Sequence, residues 1–427
     1  MKDTKTQGKN WRTIITLVLS AFGILYFLTQ SLALGVFWLT ELVDSRVDIT
    51  QKISTGSLIW ASLFGGLMLL PILLLSIYNL RGQPIPTWLD TRRPVVGRTV
   101  MWLILLWPVM VFLGWLVAGT PKVAVFLLGP INLLVAGIPV LWFYNAAQRK
   151  LDTESQIRKW RIFGFSFAIT PIVVIGVEIV ALLIMSVAAG VWVAYRISVD
   201  PSFERELMFI INQISIAGND LDKILQLLEP YLMKPAVLVW AVVIVGGVIP
   251  VIEETIKPLA LWSLVGRKIT PQEGFVNGLL CGAGFALMEN LLYATTAVMA
   301  DDWLIMVVGR AGTGLLHMLA SGIVGWGLAM LWRDGKWIFS GLTILGAFLL
   351  HGVWNAVALI SGVAPLLVYG PDATITQTLL YYLPVFSLLI ISVLGLFLIR
   401  RHLLRKQSSE IIDINDNQQT STGALDE

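Results

Sequence analysis

The sequence predicts an all-α, polytopic transmembrane helical bundle of about ten spans, and three observations predict it. The chain has 427 residues, 56% of them hydrophobic and only 13% charged, with a mean hydropathy of +0.79. Soluble domains carry about 25% charged residues. Apolar stretches of about 18 residues or more recur from end to end, each long enough to cross a bilayer core. The basic residues fall in alternate connecting segments, the pattern of a chain threaded back and forth through a membrane.

The apolar runs place spans at residues 13–43, 53–80, 100–119, 123–147, 165–197, 236–265, 274–299, 304–332, 338–361 and 379–401. The first run is too long for the apolar core of a signal peptide and has no clear cleavage site, so it reads as a retained anchor. One face of the membrane collects Lys2, Lys5, Lys9 and Arg12, then Arg81, Arg92, Arg93 and Arg98, then Arg149, Lys150, Arg158, Lys159 and Arg161. Arg267 and Lys268, Arg333 and Lys336, and Arg400, Arg401, Arg405 and Lys406 follow on that side. The other face holds Asp44 and Asp48, the acidic segment 198–234, Asp301, Asp302 and Asp372, with Arg46, Lys52 and Lys122 as minor exceptions. Both termini are therefore expected to be cytoplasmic, in a multi-pass protein of the plasma membrane. The net charge of +3, with no basic block interleaved with aromatics, gives no reason to expect nucleic-acid binding. A single cysteine, Cys281, excludes an internal disulfide framework and a cysteine-based zinc site.

Five regions follow: a cytoplasmic tail 1–12, a five-span region 13–197, an extracytoplasmic amphipathic segment 198–235, a second five-span region 236–402, and a polar, acidic tail 403–427 expected to be disordered. In the middle segment Phe203, Leu207, Ile210, Ile211 and Ile214 recur at helical spacing. Leu221, Ile224, Leu225, Leu228, Tyr231 and Leu232 do the same, with Asn219 or Asp220 available as a cap. Such helices lie at the outer interface or form a lid over a substrate path. No internal repeat is evident, which argues against an inverted-repeat transporter.

Glu253-Glu254-Thr255-Ile256-Lys257 interrupts an apolar run. Each charge at mid-bilayer costs about 2.5–3.5 kcal/mol, so such groups pair, line a wet cavity or do chemistry. Glu253 reaches Lys257 at i,i+4 and Glu254 reaches it at i,i+3, but one lysine cannot neutralise two carboxylates. The next spans bring Glu289 and Asn290, then His317 and Ser321, then His351 and Asn355, the last two on one helix face. At 1.5 Å rise per residue, Glu254, Glu289, His317 and His351 lie about 17, 22, 22 and 20 Å from the cytoplasmic ends of their spans. One shared site explains why residues on antiparallel helices keep one depth. Arg310 is an alternative, structural partner for Glu289. Glu178 lies outside this set and reads as an interhelical hydrogen bond, and His402 as interfacial.

Glycines at 278, 282 and 284 and at 309, 312, 314, 322, 325 and 327 let helices approach closely. Pro250 and Pro258 free the carbonyls of Gly246 and Glu254 and are expected to kink the helix around the Glu pair. Adjacent carboxylates in a low dielectric raise one another's proton affinity, and imidazole can share the transfer of a proton from water to a leaving amine. An Asn amide can stabilise the oxyanion. This is a kit for amide hydrolysis by water. No Ser–His–Asp set, no Cys–His set and no His-Glu-x-x-His zinc helix is evident. Cys281 stands about two turns from Glu289 and does not read as a nucleophile.

Glu253-Glu254-x-x-Lys257, Phe285-Ala-Leu-Met-Glu289-Asn290-x-x-Tyr293, His317 and His351-x-x-x-Asn355 together resemble the PrsW family of intramembrane proteases, related to the CAAX-type glutamic membrane endopeptidases. The resemblance covers residues 245–358. It implies that Glu253 and His351 activate water and that Asn355 holds the oxyanion. Glu289 stands where the CAAX-type group has a histidine, an imidazole that His317 is expected to supply. Glu254 completes the catalytic set; Lys257, Asn290 and Ser321 support it. The implied substrate is a membrane-anchored protein, met in the bilayer. No cofactor is favoured; a zinc-type ion, if bound, would be held by Glu254, Glu289, His317 and His351. Two rival readings use the same residues: a proton-coupled transporter with a Glu/His relay, and a non-catalytic scaffold or sensor.

Overall fold

A computed structural model describes residues 11–86, 94–151, 156–218, 220–369 and 374–423. Lys2, Lys5, Lys9, Arg92, Arg93, Asn219 and Asp372 lie outside the described residues, and the Arg98 side chain is not described. The protein is all-helical, 88% helix with no strand among the described residues. Ten of its helical stretches are long and apolar enough to cross a membrane, and the protein is a multi-pass membrane protein. The observed bounds follow the expected spans, lengthened at most ends: 11–43, 49–80, 99–118, 121–148, 157–199, 235–262, 271–293, 300–334, 337–369 and 379–409.

The helices run α1 (Trp11–Val43), α2 (Ile49–Leu80), α3 (Pro94–Leu103), α4 (Leu106–Ala118), α5 (Pro121–Gln148), α6 (Gln156–Ala168), α7 (Thr170–Val199), α8 (Pro201–Ala217) and α9 (Leu221–Leu232). Then come α10 (Pro235–Val243), a π turn (Ile244–Val248), α11 (Ile249–Ile256), α12 (Leu259–Trp262), α13 (Pro271–Tyr293), α14 (Ala300–Asp334), α15 (Trp337–Tyr369), α16 (Ile375–Tyr381) and α17 (Leu383–Gly423). The tail expected to be disordered continues α17 to Gly423. No proline or glycine interrupts it after Gly395, and elongating a formed helix costs far less than nucleating one.

The chain divides into two compact units that interleave in sequence. The first holds residues 1–171, 256–347 and 389–427. Its centre is the antiparallel pair α13 and α14. Thr270 accepts from the Glu273 backbone N–H while Glu273 accepts from that of Thr270, a capping box with Pro271 at the first helical position. Gly274, Gly278 and Gly282, one per turn, face α14. A Cβ at each would lie 2.4, 2.2 and 2.2 Å from the carbonyl oxygens of Gly325, Ser321 and His317, so only glycine permits this approach. Cys281 is fully buried beside that seam, packed with Leu280, Ala320 and Val324.

The early spans hold this pair in place. Asn132 of α5 donates to the Ala294 carbonyl (3.0 Å) and accepts from Trp303 Nε1 (2.8 Å). Ser54 of α2 donates to the Thr295 carbonyl at 2.6 Å. Thus α2 and α5 grip the turn between α13 and α14. At the other end Arg158 of α6 pairs with Glu273 at 3.2 Å.

The second unit holds residues 172–255 and 348–388. The two amphipathic stretches form α8 and α9. Asp200 accepts from the Ser202 and Phe203 N–H groups at 3.0 and 3.2 Å, and Asp220 from that of Lys223 at 3.2 Å, so each helix starts on a carboxylate cap. In this unit the carbonyl of Gly246 would lie 2.2 Å from a Cβ at Gly352 of α15, a backbone-to-backbone contact that brings the His351 turn against the π turn.

Candidate active site

Local sequence explains the shape of the segment carrying the Glu pair. Pro250 has no N–H to return to the Gly246 carbonyl, and Ile244–Val248 winds as a π turn just before it, a form that clusters at functional sites. Helix α11 then lasts eight residues and ends at Ile256, two residues before Pro258. The expected kinks are therefore a π turn on one side of Glu253 and Glu254 and a break on the other.

In the second unit this segment meets α15. His351 Nδ1 lies 3.0 Å from Glu254 Oε1, and His351 Nε2 lies 3.9 Å from Glu253 Oε2. All three side chains are buried; His351 and Glu254 are 0% and 1% exposed. One imidazole thus stands between two carboxylates. One turn along α15, Asn355 Nδ2 donates to the Val245 carbonyl at 3.1 Å, a carbonyl of the π turn. Glu178, half-buried on α7, lies in this unit too.

The first unit collects the remaining polar residues. Lys257 Nζ is 2.7 Å from His317 Nδ1, and His317 Nε2 is 2.9 Å from Glu289 Oε2. Lys257 and Glu289 thus hold the two ring nitrogens of His317 between them. The Arg310 guanidinium pairs with the same Glu289 oxygen, and Arg310 Nε donates to Asn290 Oδ1 at 2.8 Å. Phe285 forms the wall: its ring lies 4.4 Å from Lys257 Nζ and meets His317 edge-on at 5.4 Å. Ser321, one turn beyond His317, is fully buried, with its carbonyl against Gly278 in the glycine seam.

Lys257 lies in the turn just past α11 and reaches His317. His317, expected to supply the imidazole, carries side-chain hydrogen bonds at both nitrogens. The structural partner for Glu289, Arg310, is present. The sequence offered Arg310 only as an alternative partner for Glu289, and Phe285 only as part of the motif; a lone arginine in an apolar span is as costly as either carboxylate.

Glu253, Glu254 and His351 each offer one ligand atom, and these atoms lie within 4.8 Å of one another. Two carboxylate oxygens and one imidazole nitrogen suit zinc or a similar divalent ion, so the donor set fits a metal as well as direct acid–base work.

The fold defines a class: a polytopic helical membrane protein that buries carboxylates and imidazoles among its spans. Residues 178–389, about half of the chain, match the family model described as PrsW family intramembrane metalloprotease, and through this region the chain belongs to the PrsW family of membrane proteases. The comparisons with curated proteins and with solved structures gave no match.

Proposed function

We propose that this protein is an intramembrane endopeptidase that hydrolyses a peptide bond in or near the membrane segment of a membrane-anchored protein. The observation that carries the reading is the buried His351 imidazole between Glu254 at 3.0 Å and Glu253 at 3.9 Å. With Nδ1–H donating to Glu254, Nε2 faces the Glu253 carboxylate and is placed to take a proton from water there. Glu254 fixes the tautomer, as the carboxylate does in a catalytic triad. The water oxygen bonds to the scissile carbonyl carbon while its proton passes to Nε2. Asn355 uses one amide N–H on Val245 and has a second for the oxyanion. Collapse breaks the C–N bond, and the proton goes to the leaving amine.

Lys257, His317, Glu289 and Asn290 belong to the same centre in this reading, with Ser321 supporting His317. The support is in the chain itself: Lys257 follows Glu254 by three residues, and Glu289 and His317 share its depth to within about 5 Å along their spans. Glu253, Glu254 and His351 would hold a divalent ion; when bound, such an ion lowers the pKa of a water and polarises a carbonyl. The charge pattern supports cytoplasmic termini and an extracytoplasmic 198–235 segment.

The test mixes purified protein with single-span substrates and follows cleavage. Glu253→Gln, Glu254→Gln and His351→Ala should each abolish it while the protein stays folded; full activity in all three sinks the reading. Metal content, measured directly, separates the two hydrolytic types. Stoichiometric zinc that disappears in His351→Ala assigns an ion to the site. Activity in metal-free protein assigns water activation to the side chains alone.

A further inference from the structure

We propose that Arg310 is a positioning residue of this protease, the anchor on which the Glu289-Asn290-x-x-Tyr293 motif is built and through which His317 is held; the inference rests on the protease reading above. Glu289 and Tyr293 are four residues apart on α13 and share a face, with Asn290 beside them. All three converge on one guanidinium from α14. Arg310 pairs with Glu289 Oε2, donates from Nε to Asn290 Oδ1 at 2.8 Å, and lies 4.5 Å over the Tyr293 ring. Asn290 returns a bond to the Arg310 backbone carbonyl at 3.4 Å. A planar fork with a stackable face satisfies a carboxylate, an amide oxygen and an aromatic ring at once; a lysine ammonium does not.

The same carboxylate oxygen that takes Arg310 also lies 2.9 Å from His317 Nε2. Glu289 therefore passes the constraint on: where Arg310 puts its oxygen decides where the imidazole points. Side-chain exposures of 16% for Arg310 and 20% for Glu289 set this pair apart from mobile surface pairs, which contribute little.

The test compares Arg310→Gln, Glu289→Gln, their double variant and Arg310→Lys, with Glu253→Gln, Glu254→Gln and His351→Ala alongside and folding monitored by thermal unfolding. Expected is a fall of about 10- to 100-fold in kcat for Arg310→Gln, the usual effect of losing such a partner, with KM nearly unchanged. The double variant should be no worse than Glu289→Gln, because one residue acts through the other. Arg310→Lys should recover thermal stability more than kcat. Unchanged kcat in Arg310→Gln, or losses that multiply in the double variant, overturns the inference. Full activity in Glu254→Gln as well as in Glu253→Gln and His351→Ala would instead overturn the protease reading itself.

Discussion

Gly352→Ala is the sharpest probe of how backbone contact serves the site. The added Cβ would stand 2.2 Å from the carbonyl oxygen of Gly246, where ordinary contact begins at 3.4 Å. The obstacle is backbone, so no rotamer relieves it, and α15 must retreat by about 1 Å from the π turn. Overpacking of this kind costs about 1–3 kcal/mol. His351 is the adjacent residue, and its 3.0 Å bond to Glu254 is carried by the helix that moves. A misplacement of about 1 Å costs about 100-fold in rate. The assay is cleavage of a single-span substrate, read as kcat, beside thermal unfolding in the same detergent. Expected are a loss near two decades in kcat and a modest drop in midpoint. Wild-type kcat in a destabilised Gly352→Ala protein would refute the argument that this contact sets the Glu254–His351 geometry.

Other outcomes follow from the same coordinates. Gly282→Ala places a Cβ 2.2 Å from the His317 carbonyl; it should lower stability by about 1–3 kcal/mol and reduce folded yield in detergent. Asn132→Leu orphans Trp303 Nε1 and the Ala294 carbonyl, at about 1–3 kcal/mol for each group, and thermal unfolding should show the loss. Asp200, outside the spans, is held below its ordinary 3.8 chiefly by the Ser202 side chain and the Phe203 and Ser202 backbone N–H groups. Its cap on α8 is therefore fully present above that value and is lost as pH falls through the lower, folded one. Exchange of the Ser202 and Phe203 amides, corrected for intrinsic rate, should accelerate only below pH 3.8; acceleration at neutral pH would contradict the cap.

Much was legible because its cause is local. Spans follow from apolar length, the α8 and α9 caps from Asp200 and Asp220, and the distortion at 244–248 from Pro250. The pairing of His351 with Glu254 was foreshadowed by matched depth. Illegible was the choice among partners once the helices pack. Spacing places Lys257 one turn from the Glu pair but does not show that its Nζ reaches His317 of α14. Spacing also cannot say that His317 spends both nitrogens on Lys257 and Glu289, because that depends on the register of α13 against α14. Backbone sterics at Gly274, Gly278 and Gly282 set that register, and a list of small residues shows closeness without showing alignment.

The grip of α2, α5 and α6 on the α13–α14 pair bears on inheritance and engineering. The family match begins at residue 178, yet Ser54, Asn132 and Arg158 bond to Thr295, Ala294 and Glu273 inside it. Grafting residues 178–389 onto a foreign anchor would leave those carbonyls and that carboxylate facing lipid, and would bare the flank of α13 where Gly284 meets the Phe163 backbone. The matched stretch is thus no portable cassette. Helices α2, α5 and α6 are its foundation, and a change at Ser54, Asn132 or Arg158 reaches into the matched stretch through a hydrogen bond.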